Sequence, residues 1–170
     1  NVSGVKHSLD WIKFAQNLGY DVLLDAAAFV PTSRLNLKEV QPEFVSISFY
    51  KIFGYPTGLG CLLIKKSVFD KLKKPWFAGG TVTMVSVTSQ HSFLAGNHER
   101  FEDGTLNYLD IPALQNGLEF IESIGMERIN ARIKGLTQYL LDNLHALHHK
   151  NGKPLVKVFG PHDMEQRGGN

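Results

Sequence analysis

The chain has 170 residues, of which 43% are hydrophobic and 20% charged, as is usual for one soluble globular domain. Its net charge of +2 gives no electrostatic reason to expect nucleic acid or an anionic membrane as a partner, and no apolar run is long enough to span a bilayer. The single cysteine, Cys61, excludes an internal disulfide, and with no secretory signal visible the default location is cytoplasmic.

The two ends of the sequence predict an internal piece of a longer polypeptide. The chain opens at Asn1 without an initiator methionine and stops at Asn170, shortly after a predicted strand and a turn. We therefore expect that a functional site is divided between these residues and others that flank them.

The first half of the sequence predicts one helix and three short strands. Apolar residues recur at helical spacing over residues 9–18, and Gly19 then ends the helix. Short apolar runs at 21–25, 44–49 and 61–64 predict buried strands. Because no helix separates the last two runs, they predict an antiparallel hairpin within a mixed sheet.

The second half of the sequence predicts mainly helix. Residues 111–124 have apolar side chains at helical spacing, and a second helix follows from Met126 to Leu147, with an apolar stripe expected to pack in the core. A run at 155–159 predicts a further strand. Strands that alternate with helices indicate the α/β class.

The segment Ser48-Phe49-Tyr50-Lys51-Ile52-Phe53-Gly54 is the best candidate for chemistry. Lys51 comes just after a predicted strand and in apolar company, which favours the neutral, nucleophilic amine over the ammonium ion. Ser48, at the strand end, can bind a phosphate with its hydroxyl, and the glycines after Lys51 allow close approach by a flat ligand. Taken alone, a lysine after a strand is more often a surface residue.

Asp25 ends the neighbouring predicted strand, at the edge where α/β sheets bind ligands. A carboxylate there can pair with a pyridinium nitrogen, although an aspartate at a strand end is more often a cap or turn residue. The glycines from Gly54 to Gly60 fit neither the dinucleotide nor the phosphate-loop pattern, and by themselves predict a hairpin turn.

In combination these segments resemble the class V aminotransferase superfamily, which comprises pyridoxal-phosphate enzymes of fold type I. The similarity is greatest to the molybdenum cofactor sulfurase family, and it rests on residues 21–30, 46–60 and 100–107. The resemblance implies part of the large domain of that fold, with a mixed, mainly parallel sheet and flanking helices. Residues 1–110 would belong to this domain, 111–150 would form connecting helices, and 151–170 would start the small C-terminal domain.

The resemblance also implies pyridoxal 5′-phosphate as cofactor and assigns residues to it. Lys51 matches the Schiff-base lysine, Asp25 the acid that pairs with the pyridine nitrogen, and Ser48 a phosphate-binding serine. Thr105, after Gly104, matches a threonine that reaches the phosphate of the neighbouring subunit's cofactor, which implies a homodimer with shared active sites.

Two positions at the predicted cofactor site depart from the cysteine desulfurases of this superfamily. Ala28 stands where many of them have a glutamine that bonds the cofactor's phenolic oxygen, and Tyr50 stands where they have a histidine before the lysine. Both departures point toward the sulfurase-like branch. The residue that stacks on the ring and the arginine that binds the substrate carboxylate would lie outside this chain.

The reaction implied is sulfur transfer from an amino acid, with L-cysteine as the candidate substrate. Another class V reaction, such as amino transfer, lyase chemistry or epimerisation, stays open, as does a noncatalytic role. Cys61 lies within an apolar run and is interpreted as a core thiol, so a persulfide cysteine would lie elsewhere.

The histidines near the end of the predicted long helix do not give a metal prediction. His145 and His149 have a spacing that could clamp a metal ion. Cationic side chains near a helix C-terminus are favourable without any metal. We therefore predict no metal site.

Overall fold

The structure, a computed structural model, describes residues 3–169. Asn1, Val2 and Asn170 lie outside the described residues, and so do the chain ends on which the fragment prediction rests. The predicted division at residues 110 and 150 stays a prediction. Within the described part, no helix is both long enough and apolar enough to cross a membrane.

Helix α1 (Asp10–Asn17) leads into a three-stranded mixed sheet. The strands are β1 (Leu23–Asp25), β2 (Phe44–Ser48) and β3 (Gly60–Ile64), in that spatial order. Strand β1 runs parallel to β2, and β3 runs antiparallel to it. The α/β class, the mixed sheet and the antiparallel pairing of the second and third strands are confirmed, with strand ends within two residues of the prediction.

Between β2 and β3 the chain forms a single helical turn, α2 (Tyr50–Phe53), and the glycine-rich loop that follows it. The turn ends at Gly54, whose φ of 87° lies in the left-handed region that favours glycine. A short 3₁₀ segment follows β3 at Lys66–Lys71. Lys51 is therefore on a helical turn and not on the strand itself.

A two-stranded antiparallel hairpin, which the sequence did not predict, comes next. It consists of β4 (Val82–Val85) and β5 (Ser92–Leu94) and is followed by a 3₁₀ segment at Asn97–Phe101. The base of the hairpin is well enclosed, since Thr81 before β4 is fully buried and Ala95 after β5 is nearly so. Its tip is open to solvent, because Val87 is almost completely exposed.

The last two helices are α3 (Ala113–Ile124) and α4 (Met126–Ala146), and both are close to their predicted bounds. Gly125 separates them with a φ of 89°. The side chain of Asn130 on α4 donates to the carbonyl oxygen of Thr32 at 2.9 Å, which fastens the helix to the loop after β1.

The prediction that the whole apolar stripe of α4 packs in the core is wrong for these residues. Leu141 is buried, but Leu136 and Leu140 are 47% and 55% exposed. Within the described residues, α3 and the loop after β1 pack against only part of the α4 surface. The amphipathic pattern therefore identified an apolar face correctly but did not identify what covers it.

The strand predicted at residues 155–159 is also absent from the described structure. After α4 the chain turns back, and the Leu155 amide donates to the Leu147 carbonyl oxygen at 2.9 Å. Only one isolated bridge forms there, between His148 and Pro154. A strand needs a partner along its whole length, and among residues 3–169 this run has none.

Candidate functional site

The parallel pairing of β1 and β2 brings the first candidate residues to one edge of the sheet. Asp25 is in register with Ser46, so both strands end at the same edge. Atom Oδ1 of Asp25 accepts hydrogen bonds from the Ala27 amide at 3.0 Å and from Oγ of Ser46 at 3.2 Å. Asp25 is exposed, and its Oδ2 accepts no hydrogen bond from residues 3–169. One carboxylate oxygen thus orients the side chain, and the other faces outward.

The turn that carries Lys51 leaves the sheet at this edge. Ser48, the last residue of β2, pairs with Gly60, and the Phe49 amide donates to the Leu59 carbonyl oxygen at 3.1 Å. Lys51 follows on α2 and is exposed, with Nζ 5.9 Å from the ring centre of Tyr50. The apolar enclosure expected around Lys51 is therefore not provided by the described residues. The parallel pairing of the strand that leads into this turn with the strand that ends in Asp25 is confirmed.

The hydroxyl groups near the site fall into two classes. Those of Ser46 and Thr81 have structural partners, because Ser46 donates to Asp25 and Thr81 donates to the Ala78 carbonyl oxygen at 2.8 Å. The hydroxyls of Ser48 and Thr105 make no hydrogen bond with the described part of the chain. The two hydroxyls that the family resemblance assigned to a phosphate are thus the unengaged ones.

Thr105 and Gly104 belong to a separate segment, which is fastened to the turn before β4. The Gly104 amide donates to the Gly79 carbonyl oxygen at 2.8 Å. Gly80 adopts a φ of 81°, and a β-carbon there would lie 3.1 Å from the Gly104 carbonyl oxygen. Asp103 forms an ion pair with Lys74, and this hydrogen bond lowers the pKa of the Asp103 carboxyl. Among the described residues, no hydrogen bond or ion pair joins Thr105 to Asp25 or Lys51.

A cavity of about 320 Å³ opens beside Asp25 and Ala28. Phe29 of the same loop also lines it, and its remaining walls come from the N-terminal segment with α1, from α4 and from the C-terminal segment, and include Lys6, Trp11, Thr137 and Met164. Lys51, Ser48, Tyr50, Gly104 and Thr105 do not line it. Sequence reasoning missed this cavity because its walls come from four segments that are far apart in the chain.

Cys61 and the histidines near the end of α4 have ordinary packing surroundings. Cys61 lies on β3 opposite Ile47 and is partly buried, and burial raises the pKa of its thiol. Since α4 ends at Ala146, His149 does not share its helix with His145, which stacks on His162 with ring centres 4.4 Å apart. The described residues contain no cluster of three or more groups that could bind a metal.

Comparison with protein families and curated proteins gives a consistent result. The model of the family described as Aminotransferase class-V matches residues 1–168. Molybdenum cofactor sulfurase from Caenorhabditis elegans is 43% identical over 163 residues, which are 94% of this chain and 23% of that protein. The protein of the same name from Bos taurus is 41% identical over an alignment that covers 96% of this chain and 20% of that protein. The chain thus spans about a fifth to a quarter of the length of these relatives.

Two solved structures with the same fold are those of cysteine desulfurases. The apo structure of the enzyme from Thermococcus onnurineus NA1 matches 98% of this chain and 40% of its own, with a TM-score of 0.80 and 31% identity. Cysteine desulfurase CsdA from Escherichia coli matches 82% of this chain and 34% of its own, with a TM-score of 0.73 and 22% identity, and so supports the fold alone.

Proposed function

This chain belongs to the class V aminotransferase family, and from that premise we propose that it forms the lysine-bearing part of a pyridoxal-phosphate enzyme that removes sulfur from L-cysteine. Its fold is that of the fold type I cysteine desulfurases. Relatives named molybdenum cofactor sulfurase support sulfur transfer as the reaction. Since the chain covers only part of those proteins, the activity is proposed for the protein in which these residues occur.

The observation that carries the proposal is the pairing of Asp25 with Ser46 in parallel register. It brings the end of β1 to the sheet edge at which β2 leads through Ser48 into the Lys51 turn. A free carboxylate oxygen, a free hydroxyl and an exposed amine thus come from two adjacent strand ends. Three such groups at one edge are what an aldehyde-bearing, phosphorylated pyridine requires.

These residues fit pyridoxal 5′-phosphate by the chemistry of their atoms. Oδ2 of Asp25 would bind the protonated ring nitrogen, Oγ of Ser48 the phosphate, and Nζ of Lys51 the aldehyde carbon. Bound in this way, the cofactor supplies an electron-withdrawing ring that stabilises negative charge on the substrate carbon. Ala28 brings no hydrogen-bonding side chain to the cavity wall next to Asp25, so a bond to the ring oxygen has to come from another residue.

Lys51 would have two roles in the reaction. Its amine would hold the cofactor covalently in the resting protein and would be free while the substrate is bound. Nζ, now free, would move a proton between the substrate carbon and solvent as general base and acid. Asp25, oriented by Ser46 and the Ala27 amide, would keep its negatively charged carboxylate next to the ring nitrogen throughout.

Cys61 does not suit the role of sulfur acceptor. A persulfide forms when a thiolate attacks the sulfur of the substrate, while the carbon–sulfur bond breaks and its electron pair stays on the carbon, which takes up a proton to give alanine. Burial of Cys61 raises the pKa of its thiol and so disfavours the thiolate. Cys61 is the only cysteine of this sequence. The acceptor thiol is therefore proposed to come from a residue outside these 170 or from an added reductant.

The test uses the protein as its organism makes it, purified with pyridoxal 5′-phosphate. The wild type should absorb visible light, and borohydride reduction should attach the cofactor to the peptide that contains Lys51, as read by mass spectrometry. With an added thiol reductant, which supplies the two electrons and two protons, L-cysteine should give alanine and sulfide. Lys51→Ala should abolish the visible band and the activity, whereas Lys73→Ala, at an exposed lysine, should preserve both. A visible band that survives in Lys51→Ala would refute the assignment.

The same experiment separates the other reactions of the family. Amino transfer that depends on a keto acid, without sulfide release, would identify an aminotransferase. A wild type that binds no cofactor would overturn the enzymatic proposal altogether and favour a structural role.

We also propose a homodimer in which Thr105 of one subunit binds the phosphate in the other. The exposed, unengaged hydroxyl of Thr105 supports this, as do its exposed apolar neighbours Leu106, Tyr108 and Leu109. Lys51→Ala and Thr105→Ala proteins, unfolded together and refolded as a mixture, should regain part of the activity that each lacks alone, since a mixed dimer contains one intact site. Absence of any recovery in a mixture that does form mixed dimers would argue against shared sites.

A further inference from the structure

A glycine in the middle of α3 lies directly beneath the turn that carries Lys51. A β-carbon built on Gly117 would lie 2.5 Å from Cδ2 and Cε2 of Phe53, and 2.7 Å from its Cγ. No side chain other than hydrogen fits at that position with the ring where it is. Phe53 is the last residue of α2, two positions after Lys51.

The contact involves the base of the Phe53 ring as well as its edge. Rotation of the Phe53 ring about its own axis would move Cδ2 and Cε2 but would leave Cγ in place. Only a new rotamer at the first side-chain bond or a shift of the backbone would clear an added β-carbon. Because α2 is a single turn, a shift of the Phe53 backbone would be transmitted to Lys51.

The rest of the turn gives Phe53 few alternatives. Its ring stacks on that of Phe49, with centres 6.3 Å apart, and the Gly54 amide is bonded to the Tyr50 carbonyl oxygen at 2.8 Å. Helices α2 and α3 pack against each other at this point. The partly enclosed Phe53 thus faces α3, while Lys51 is exposed.

We infer that Gly117 is a positioning residue for Lys51. Because Gly117 has no side chain, the ring of Phe53 packs directly on its backbone, and this contact sets the orientation of the turn that carries Lys51. The inference rests on the proposed role of Lys51 as the cofactor-binding amine. It predicts that a single methyl group added to α3, outside the site residues, impairs cofactor chemistry through the displaced turn.

Gly135 provides a matched control. It also lies inside a long helix, α4, but a β-carbon there would meet nothing within 4 Å. Gly→Ala raises helix propensity at both positions, so any loss specific to position 117 comes from the contact with Phe53. The test compares Gly117→Ala, Gly135→Ala, Phe53→Ala and the double variant Gly117→Ala/Phe53→Ala in the cofactor-bound protein.

Gly117→Ala should lower kcat for sulfide release roughly 10- to 100-fold, as misplacement of a reacting group does. It should also shift the pH midpoint of the visible absorbance band, a readout that loss of stability alone would not move. Gly135→Ala should match the wild type in both. The double variant should match Phe53→Ala, because without the ring there is nothing for the new methyl group to strike.

Wild-type values for Gly117→Ala in a protein whose Lys51→Ala variant is inactive would overturn the inference and leave the proposed function intact. If Gly117→Ala fails to fold, the double variant decides. Recovery of folding and of the absorbance band of Phe53→Ala supports the packing of Phe53 on Gly117, and continued failure to fold overturns the inference. A wild type without a cofactor band overturns the proposed function and this inference together.

Discussion

The two ends of strand β2 carry polar groups that are used in opposite ways. Just before its start, the Glu43 carboxylate accepts hydrogen bonds from Gln16 at 2.8 Å, from the Val22 amide at 2.9 Å and from Lys65 at 2.8 Å. Glu43 is only 8% exposed. At the far end, the side chains of Ser48 and Lys51 make no hydrogen bonds with the described residues, and the Asp25 carboxylate uses only one of its oxygens.

The difference separates polar residues that hold the sheet together from those available to a ligand. A buried carboxylate is tolerated only when its oxygens are satisfied, and Glu43 meets this condition with groups from α1, the start of β1 and the end of β3. The groups at the opposite edge remain solvated, so they can exchange water for a ligand at little cost. The predictions below test this contrast from its largest effect to its smallest.

The largest effect is expected from Asp25→Asn. The amide oxygen of the new side chain can accept the same hydrogen bonds from Ala27 and Ser46, so the free energy of unfolding should hardly change. The negative charge opposite the ring nitrogen, however, is lost. Catalytic rate should fall roughly 10²- to 10³-fold, as when an electrostatic partner of the transition state is removed. Asp21→Asn, at an exposed carboxylate paired with Lys71, is the control and should keep full activity. Equal catalytic rates for Asp25→Asn and Asp21→Asn would mean that Asp25 does not bind the ring nitrogen.

At the other end of β2, Glu43→Gln should lower the stability of the protein. It removes the charge opposite Lys65 and puts a donor where three donors converge, so we expect a loss of about 2–3 kcal/mol in the free energy of unfolding. Glu122→Gln, at an exposed position on α3, should change it by less than about 0.5 kcal/mol. Urea unfolding measures both. An unchanged free energy of unfolding for Glu43→Gln would mean that the hydrogen bonds around Glu43 make no net contribution to stability.

The pH dependence of stability tests the same carboxylate without a change of shape. Burial by itself raises the pKa of Glu43, but the hydrogen bonds from Gln16, Lys65 and Val22 outweigh it and lower the pKa from 4.5 to about 2. A lowered pKa means that the stabilisation is complete above pH 4.5 and is lost as pH falls toward 2, by about 3 kcal/mol in total.

Asp103 has a lowered pKa as well, so the comparison has to isolate Glu43. The difference in unfolding free energy between the wild type and Glu43→Gln should be largest near pH 6 and should shrink steadily below pH 4.5. A difference that stays constant down to pH 3 would contradict the assignment of the acid sensitivity to Glu43.

The smallest effect is expected from Cys61→Ala. Because the thiol is partly buried on β3 and its pKa is raised, it should react more slowly with iodoacetamide than free cysteine at pH 7.5. The substitution should cost about 1 kcal/mol in stability and leave sulfide release unchanged. Loss of sulfide release with an intact visible band would instead make Cys61 the sulfur acceptor.

Local sequence patterns were sufficient for most of the elements. The periods of apolar residues predicted α1, β1, β2, β3, α3 and α4, because side-chain spacing along one segment reflects the geometry of that segment. The order of Asp25, Ser48 and Lys51 relative to the predicted strand ends was likewise visible. The same patterns did not predict the hairpin of β4 and β5, whose exposed residues alternate only weakly.

Pairing and burial between distant segments were decided only by the tertiary structure. Residues 155–159 resemble a strand but lack a partner, and Leu136 and Leu140 belong to an apolar stripe but lack a cover, so neither outcome could be read from its own segment. The Glu43 cluster, the cavity beside Asp25 and the fit of Phe53 on Gly117 each join residues more than 20 positions apart. Sequence alone thus determined which residues end the strands, and three-dimensional packing determined which of them are satisfied and which remain free to bind.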